Sequence, residues 1–244
     1  MKRIEADEGF FFGLGAFETV AVYNRPVFLR EHLERLNRAL LFLGLSGQVT
    51  KDEVYAYLRE HPVKYGALKI VVSEKNKLFL PGKNPYTPET YEKGFVLDFA
   101  KVRRNETSPF TYHKTLNYGD SIMEKRRASE EGLDEVIFRN SRGEICEGAV
   151  TNIFFVKKGR VFTPEISSGL LPGILRKYLV ESLEVTERKI MPEELAEFDG
   201  CFVTNSLMGI MPVRKLGSYA FENRETPKRL RERYQREVLD NRNS

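Results

Sequence analysis

Lys114 is the residue whose setting first suggests chemistry, in the stretch Thr111-Tyr-His-Lys-Thr-Leu-Asn-Tyr118. Aromatic and small polar neighbours give an amine a wet approach and a partly apolar bed, in which it can lose its proton and attack a carbonyl. Lys114 is therefore the candidate nucleophile, although in a chain that is 30% charged this stretch alone fits an ordinary surface lysine better. Glu147 follows Cys146 and precedes Gly148, where the backbone can turn to aim a carboxylate inward, and Thr151 and Asn152 can hydrogen-bond locally to hold that loop. A lone glutamate at a strand end also reads as solvent-facing. Ser167-Ser-Gly-Leu-Leu-Pro-Gly-Ile-Leu-Arg176 is a turn opening a helix, whose free N–H groups and positive dipole end suit a phosphate. Many helices begin this way and bind nothing. The stretch Asp199-Gly-Cys-Phe-Val-Thr-Asn-Ser206 ends in hydroxyl and amide groups that could serve a second side of the same anion.

The elements that must position these residues follow from periodicity. The aromatic and β-branched run from Gly9 to Tyr23 predicts one strand with a bend or bulge, Asn24-Arg-Pro26 a turn, and Val27-Phe-Leu29 a short returning strand. Leu33, Leu36, Leu40 and Leu43 recur at three- and four-residue steps, which predicts an amphipathic helix over 30–43 with His32 and Arg35 on its other face. A second helix is expected over 50–58, capped at Thr50 or Asp52, then strands over 67–73 and 95–102. The polar, proline-containing stretch Arg103 to Thr111 divides two lobes, 1–107 and 108–244. Beyond it, helices are expected over 117–131, from the 167–176 turn to Leu183 and over 225–238. Strands are expected at 134–139, from Glu144 to Val156, at 161–163 and around 199–206.

With 41% hydrophobic residues the 244-residue chain can fill real cores. Its net charge of +4 is spread in mixed clusters, which argues against a nucleic-acid surface but suits an anionic small molecule. No apolar run approaches the roughly 18 residues of a membrane span, and the N-terminus lacks a signal peptide's apolar core, so a cytoplasmic location is expected. Cys146 and Cys201 have no metal-ligand spacing and the three histidines stand far apart, so buried thiols and no metal are expected.

Taken in order, Glu31-His-Leu-Glu-Arg-Leu36, Lys114-Thr-Leu-Asn-Tyr118, Glu147-Gly-Ala-Val-Thr-Asn-Ile-Phe154, Leu171-Pro-Gly-Ile-Leu-Arg176 and Thr204-Asn-Ser-Leu-Met-Gly-Ile-Met-Pro-Val213 closely resemble the fold-type IV pyridoxal-phosphate enzymes. That family contains branched-chain aminotransferases, D-amino acid aminotransferases and 4-amino-4-deoxychorismate lyases. The resemblance runs from about Gly9 to Val213. It implies a two-lobed α+β fold, with a smaller N-terminal α+β lobe, a larger β-barrel-like C-terminal lobe and pyridoxal 5'-phosphate in the cleft. A homodimer is also implied.

The resemblance assigns roles. Lys114 joins the cofactor covalently and, once displaced by the substrate amine, moves the substrate proton. Glu147 faces the pyridine nitrogen, where an ion-paired, protonated ring can take up electrons. Arg35 clamps the phosphate with a guanidinium fork. Gly173, Ile174 and Leu175 supply backbone N–H groups to it, and Asn205 with Ser206 forms the second phosphate turn. Leu175 stands where the aminotransferases often carry threonine. Tyr118 would lie near the cofactor's phenolic oxygen, although its spacing from the lysine is one residue shorter than in the branched-chain enzymes. Ala16-Phe-Glu-Thr-Val20 looks more like the lyase branch, with Thr19 near the substrate. The implied activity is the lyase reaction, releasing pyruvate and 4-aminobenzoate for folate synthesis. The alternative is transamination of a D-amino acid or a branched-chain L-amino acid.

Overall fold

A computed structural model describes residues 4–240, and its contacts divide the chain into two units. The first comprises the chain up to Pro85 together with His113–Tyr118. It opens with α1 (Glu8–Phe12), capped by the Asp7 side chain on the Phe10 N–H and ended by Gly13 at φ 72°. That cap and the left-handed glycine explain why the expected single bent strand is a helix followed by β1 (Gly15–Tyr23). The strand expected at Val27–Leu29 is also absent. Only Val22 and Pro26 bridge, Phe28 takes a left-handed turn, and α2 (Leu29–Phe42) starts at once.

The helix α3 (Lys51–Glu60) begins at Thr50, where a reciprocal capping box with Glu53 satisfies two otherwise orphaned N–H groups. β2 (Tyr65–Ser73) and β3 (Lys77–Gly82) complete an antiparallel sheet in the order β1-β2-β3. Ala16, Val20 and Val22 of β1 pack with Leu33, Leu36 and Leu40 of α2 in the core of this unit. By the two-residue alternation of a strand, Glu18 lies on that core face, and Phe17 and Thr19 on the other.

The second unit comprises Tyr86–Tyr112 and the chain from Gly119 onward. In order it contains α4 (Pro88–Lys93), β4 (Phe95–Phe99), α5 (Gly119–Glu130), β5 (Glu135–Arg139), β6 (Ile145–Gly148), β7 (Asn152–Lys157) and β8 (Arg160–Pro164). There follow α6 (Ile174–Ser182), β9 (Val185–Arg188), β10 (Gly200–Asn205), β11 (Gly209–Leu216), β12 (Tyr219–Ala220) and α7 (Glu225–Tyr234). The sheet runs β6-β5-β4-β11-β10-β7-β8-β9, with β12 beside β11. Its two ends curl toward each other: the Ile145 N–H of β6 donates to the Ile190 carbonyl, just past β9, at 2.8 Å. This is the barrel-like sheet of the α+β fold. Ile153, Phe155, Cys201, Val203 and Met211 fill its core, and burial pushes the Cys201 thiol well above its ordinary value. Among the described residues no helix is long and apolar enough to cross a membrane.

Candidate active site

Lys114 is held by strand-like pairing with β1. Its carbonyl accepts the Phe17 N–H at 3.0 Å, the Leu116 N–H donates to Gly15 at 2.8 Å, and Ala16 bridges Thr115. Gly15 has a steric role here, because a Cβ would stand 2.7 Å from both the Leu116 side chain and the Val72 carbonyl. The Lys114 Nζ lies 4.4 Å from the centroid of the Phe17 ring and 4.9 Å from that of Tyr118, and these rings meet edge to face. The amine thus has the partly apolar bed that the sequence suggested. Thr19 follows Phe17 on the same strand face and is directly opposite Lys69 of β2. Lys69 is exposed, with its Nζ 5.1 Å from the Phe17 centroid. Phe17 and Lys69 were not singled out from sequence, although strand alternation around Thr19 would have found Phe17.

Arg35 projects from α2 toward the core face of β1. Its Nε and Nη2 donate to the two oxygens of Glu18 at 2.6 and 2.9 Å, while His32 Nδ1 lies 2.7 Å from Glu18 Oε2. Burial pushes the Glu18 carboxyl up. The Arg35 and His32 charges and hydrogen bonds outweigh it, and hold the group well below the usual carboxylate range. Glu18 therefore fixes one edge of the guanidinium. Sequence reading missed Glu18 as well. The signal was available: a carboxylate in register with Ala16, Val20 and Val22 must be buried, and must find a cation.

In the second unit Glu147 is buried, 7% exposed. Oε1 is 3.1 Å from Arg104 Nε, an ion pair without hydrogen-bond alignment, and Oε2 accepts the Leu171 N–H at 3.0 Å. Arg104 is steadied by stacking 3.9 Å above the centroid of Phe138 and by donating to Ser121 Oγ at 2.8 Å. Arg104 lay hidden in a polar stretch that reads as loop. Gly173 is the N-cap of α6 and supplies no side-chain cap, so the first N–H groups of this helix are available to an anion. Ile174 and Leu175 are buried, and it is their backbone that can serve the turn. Asn205 Oδ1 accepts the N–H groups of Leu207 and Met208 at 3.0 and 2.9 Å, which holds the β10–β11 turn where Ser206 sits. Thr204 and Thr151 have buried hydroxyl oxygens with no hydrogen-bond partner in the structure.

Each unit by itself carries groups that suit an aldehyde cofactor with an anionic arm: the first an amine over two rings and a guanidinium, the second a buried carboxylate, an uncapped helix start and a glycine there whose Cβ position is filled by a neighbour. A model of the amino-transferase class IV family matches residues 15–216. The chain belongs to this family. The class IV enzyme is 27% identical to the aminodeoxychorismate lyase of Bacillus subtilis, over 95% of this chain and 88% of the relative. It is 30% identical to a probable branched-chain-amino-acid aminotransferase of Aquifex aeolicus, over 86% and 79%. The fold is shared with the crystal structure of 4-amino-4-deoxychorismate lyase from Pseudomonas aeruginosa, with a TM-score of 0.84, 22% identity and coverage of 98% of this chain and 97% of that one. Class IV enzymes, lyases and aminotransferases alike, depend on pyridoxal 5'-phosphate, which is the cofactor here.

Proposed function

We propose that this class IV enzyme is a 4-amino-4-deoxychorismate lyase, releasing pyruvate and 4-aminobenzoate for folate synthesis. The observation that carries this reading is the face of β1 beneath Lys114. Phe17 underlies the amine, the Thr19 hydroxyl follows on the same strand face, and Lys69 stands opposite Thr19 with its ammonium over the same ring. A substrate with two carboxylates and one amine matches that surface better than an apolar branched-chain amino acid does. The Bacillus subtilis relative supports the same reading.

In this proposal Lys114 would hold the cofactor at its aldehyde carbon, Glu147 would face the protonated ring nitrogen as its carboxylate partner, and Tyr118 would lie near the phenolic oxygen. Arg35, the backbone of Gly173, Ile174 and Leu175, and the Asn205–Ser206 turn hold the phosphate. The cofactor, when bound, supplies an electron sink. The freed Lys114 amine would take the proton from the substrate's amino-bearing carbon. Thr19 orients the substrate, and Lys69 attracts a carboxylate. Arg104 sets its guanidinium beside the Glu147 carboxylate. The working form is a cytoplasmic homodimer.

The second reading is an aminotransferase, favoured by the Aquifex aeolicus relative. One experiment separates the two. Cofactor-loaded protein is given aminodeoxychorismate, and separately D-alanine or L-leucine without a 2-oxo acid. The lyase reading expects catalytic release of 4-aminobenzoate and little conversion of the cofactor's absorbance by the amino acids. No release, with full conversion to the pyridoxamine form, would instead establish transamination.

A further inference from the structure

We propose that Asn152 is a positioning residue that locks the start of α6 to Glu147, so that the carboxylate and the phosphate turn are held as one piece. The inference rests on the reading above that the turn at Gly173 receives the cofactor's phosphate. Both polar groups of Leu171 are claimed by residues of β6 and β7. Its N–H donates to Glu147 Oε2 at 3.0 Å, and its carbonyl accepts from Asn152 Nδ2 at 2.9 Å. Asn152 is only 6% exposed and is anchored by its register with Thr204 of β10.

Gly173 is bound to the same carboxamide by its lack of a side chain. Its φ of −69° and ψ of 145° suit any residue, so no backbone demand calls for glycine. The demand is for space, because a Cβ there would lie 1.9 Å from Asn152 Oδ1. The carboxamide therefore ties Leu171 by a hydrogen bond and closes directly on Gly173. The Lys177 N–H to Gly173 carbonyl bond, 2.9 Å, then starts α6 from that fixed point. Without the carboxamide the first N–H groups of the helix lose their fixed distance from Glu147, and a rigid ligand gripped at both ends loses affinity at the phosphate end.

The test uses the full chain stripped of cofactor, titrated with pyridoxal 5'-phosphate and with pyridoxal, which lacks the phosphate. Asn152→Ala is expected to bind the phosphorylated form about tenfold more weakly, the effect of about one well-made hydrogen-bonded contact, and pyridoxal as wild type does. Gly173→Ala is expected to show the same split, since its methyl meets the carboxamide. The double variant should be no weaker than Asn152→Ala alone, because the collision partner is gone. Unchanged affinity for both ligands, an equal loss for both, or additive losses in the double variant would overturn the proposal. If wild type binds the two ligands equally, the phosphate-turn reading itself fails and this proposal with it. Should Asn152→Ala not fold, as judged by circular dichroism, Asn152→Ser is expected to give the same split.

Discussion

Glu18 meets two opposing demands, since it is fully buried yet must stay charged to hold Arg35. Its folded-state carboxyl lies below the unfolded value, so the stability it contributes is present above the unfolded value of about 4.3 and is lost as pH falls through the folded one. Glu18→Gln is expected to cost about 3 kcal/mol at pH 7, because it leaves Arg35 and His32 beside a neutral partner in the core. Urea unfolding of the cofactor-free protein checks this, and the gap between wild type and variant should narrow as pH is taken below about 4. An unchanged midpoint at pH 7 would mean that the triad contributes nothing. The sequence names Lys114, Arg35 and Glu147 through short motifs, but leaves their partners unmarked. Glu18 reaches Arg35 through strand register and Arg104 reaches Glu147 through loop closure, while Lys69 shares the Phe17 ring with Lys114, and no short motif marks any of the three.

Elements with capping chemistry and a clean period were legible. The leucine steps locate α2, and Thr50 with Glu53 marks the start of α3. Thr50→Ala is accordingly expected to lower stability by about 1 kcal/mol, the usual worth of such a cap, read from the shift in denaturation midpoint. A loss below a few tenths would show that the box is dispensable. Elements that depend on contacts were not legible. The phenylalanine run of α1 has strand composition, but Asp7 and Gly13 impose a single helical turn on it. β3 carries lysine, proline and glycine in a largely exposed pattern, and exists because β2 offers it an edge. The turn before α6 looked like many helix starts. Only the carboxamide of Asn152, filling the space beside Gly173, distinguishes it.

At the scale of the whole molecule, family membership was legible because five motifs fall in a fixed order along the chain, and the family match over residues 15–216 bears it out. The assignment of chain to units was less accessible. His113–Tyr118 belongs by contact with the first unit, through pairing with β1, although it is far from β1 in sequence and the chain on both sides of it belongs to the second. Hydropathy carries no trace of such a return. Lys114 is thus inserted into the smaller unit and held against β1. The direct measurement is to load the purified chain with pyridoxal 5'-phosphate, reduce it with borohydride, and map the labelled peptide by mass spectrometry. The expected result is a single phosphopyridoxyl label on Lys114, with none retained in Lys114→Ala. A label on Lys69 or another lysine, or an undiminished label in Lys114→Ala, would contradict it.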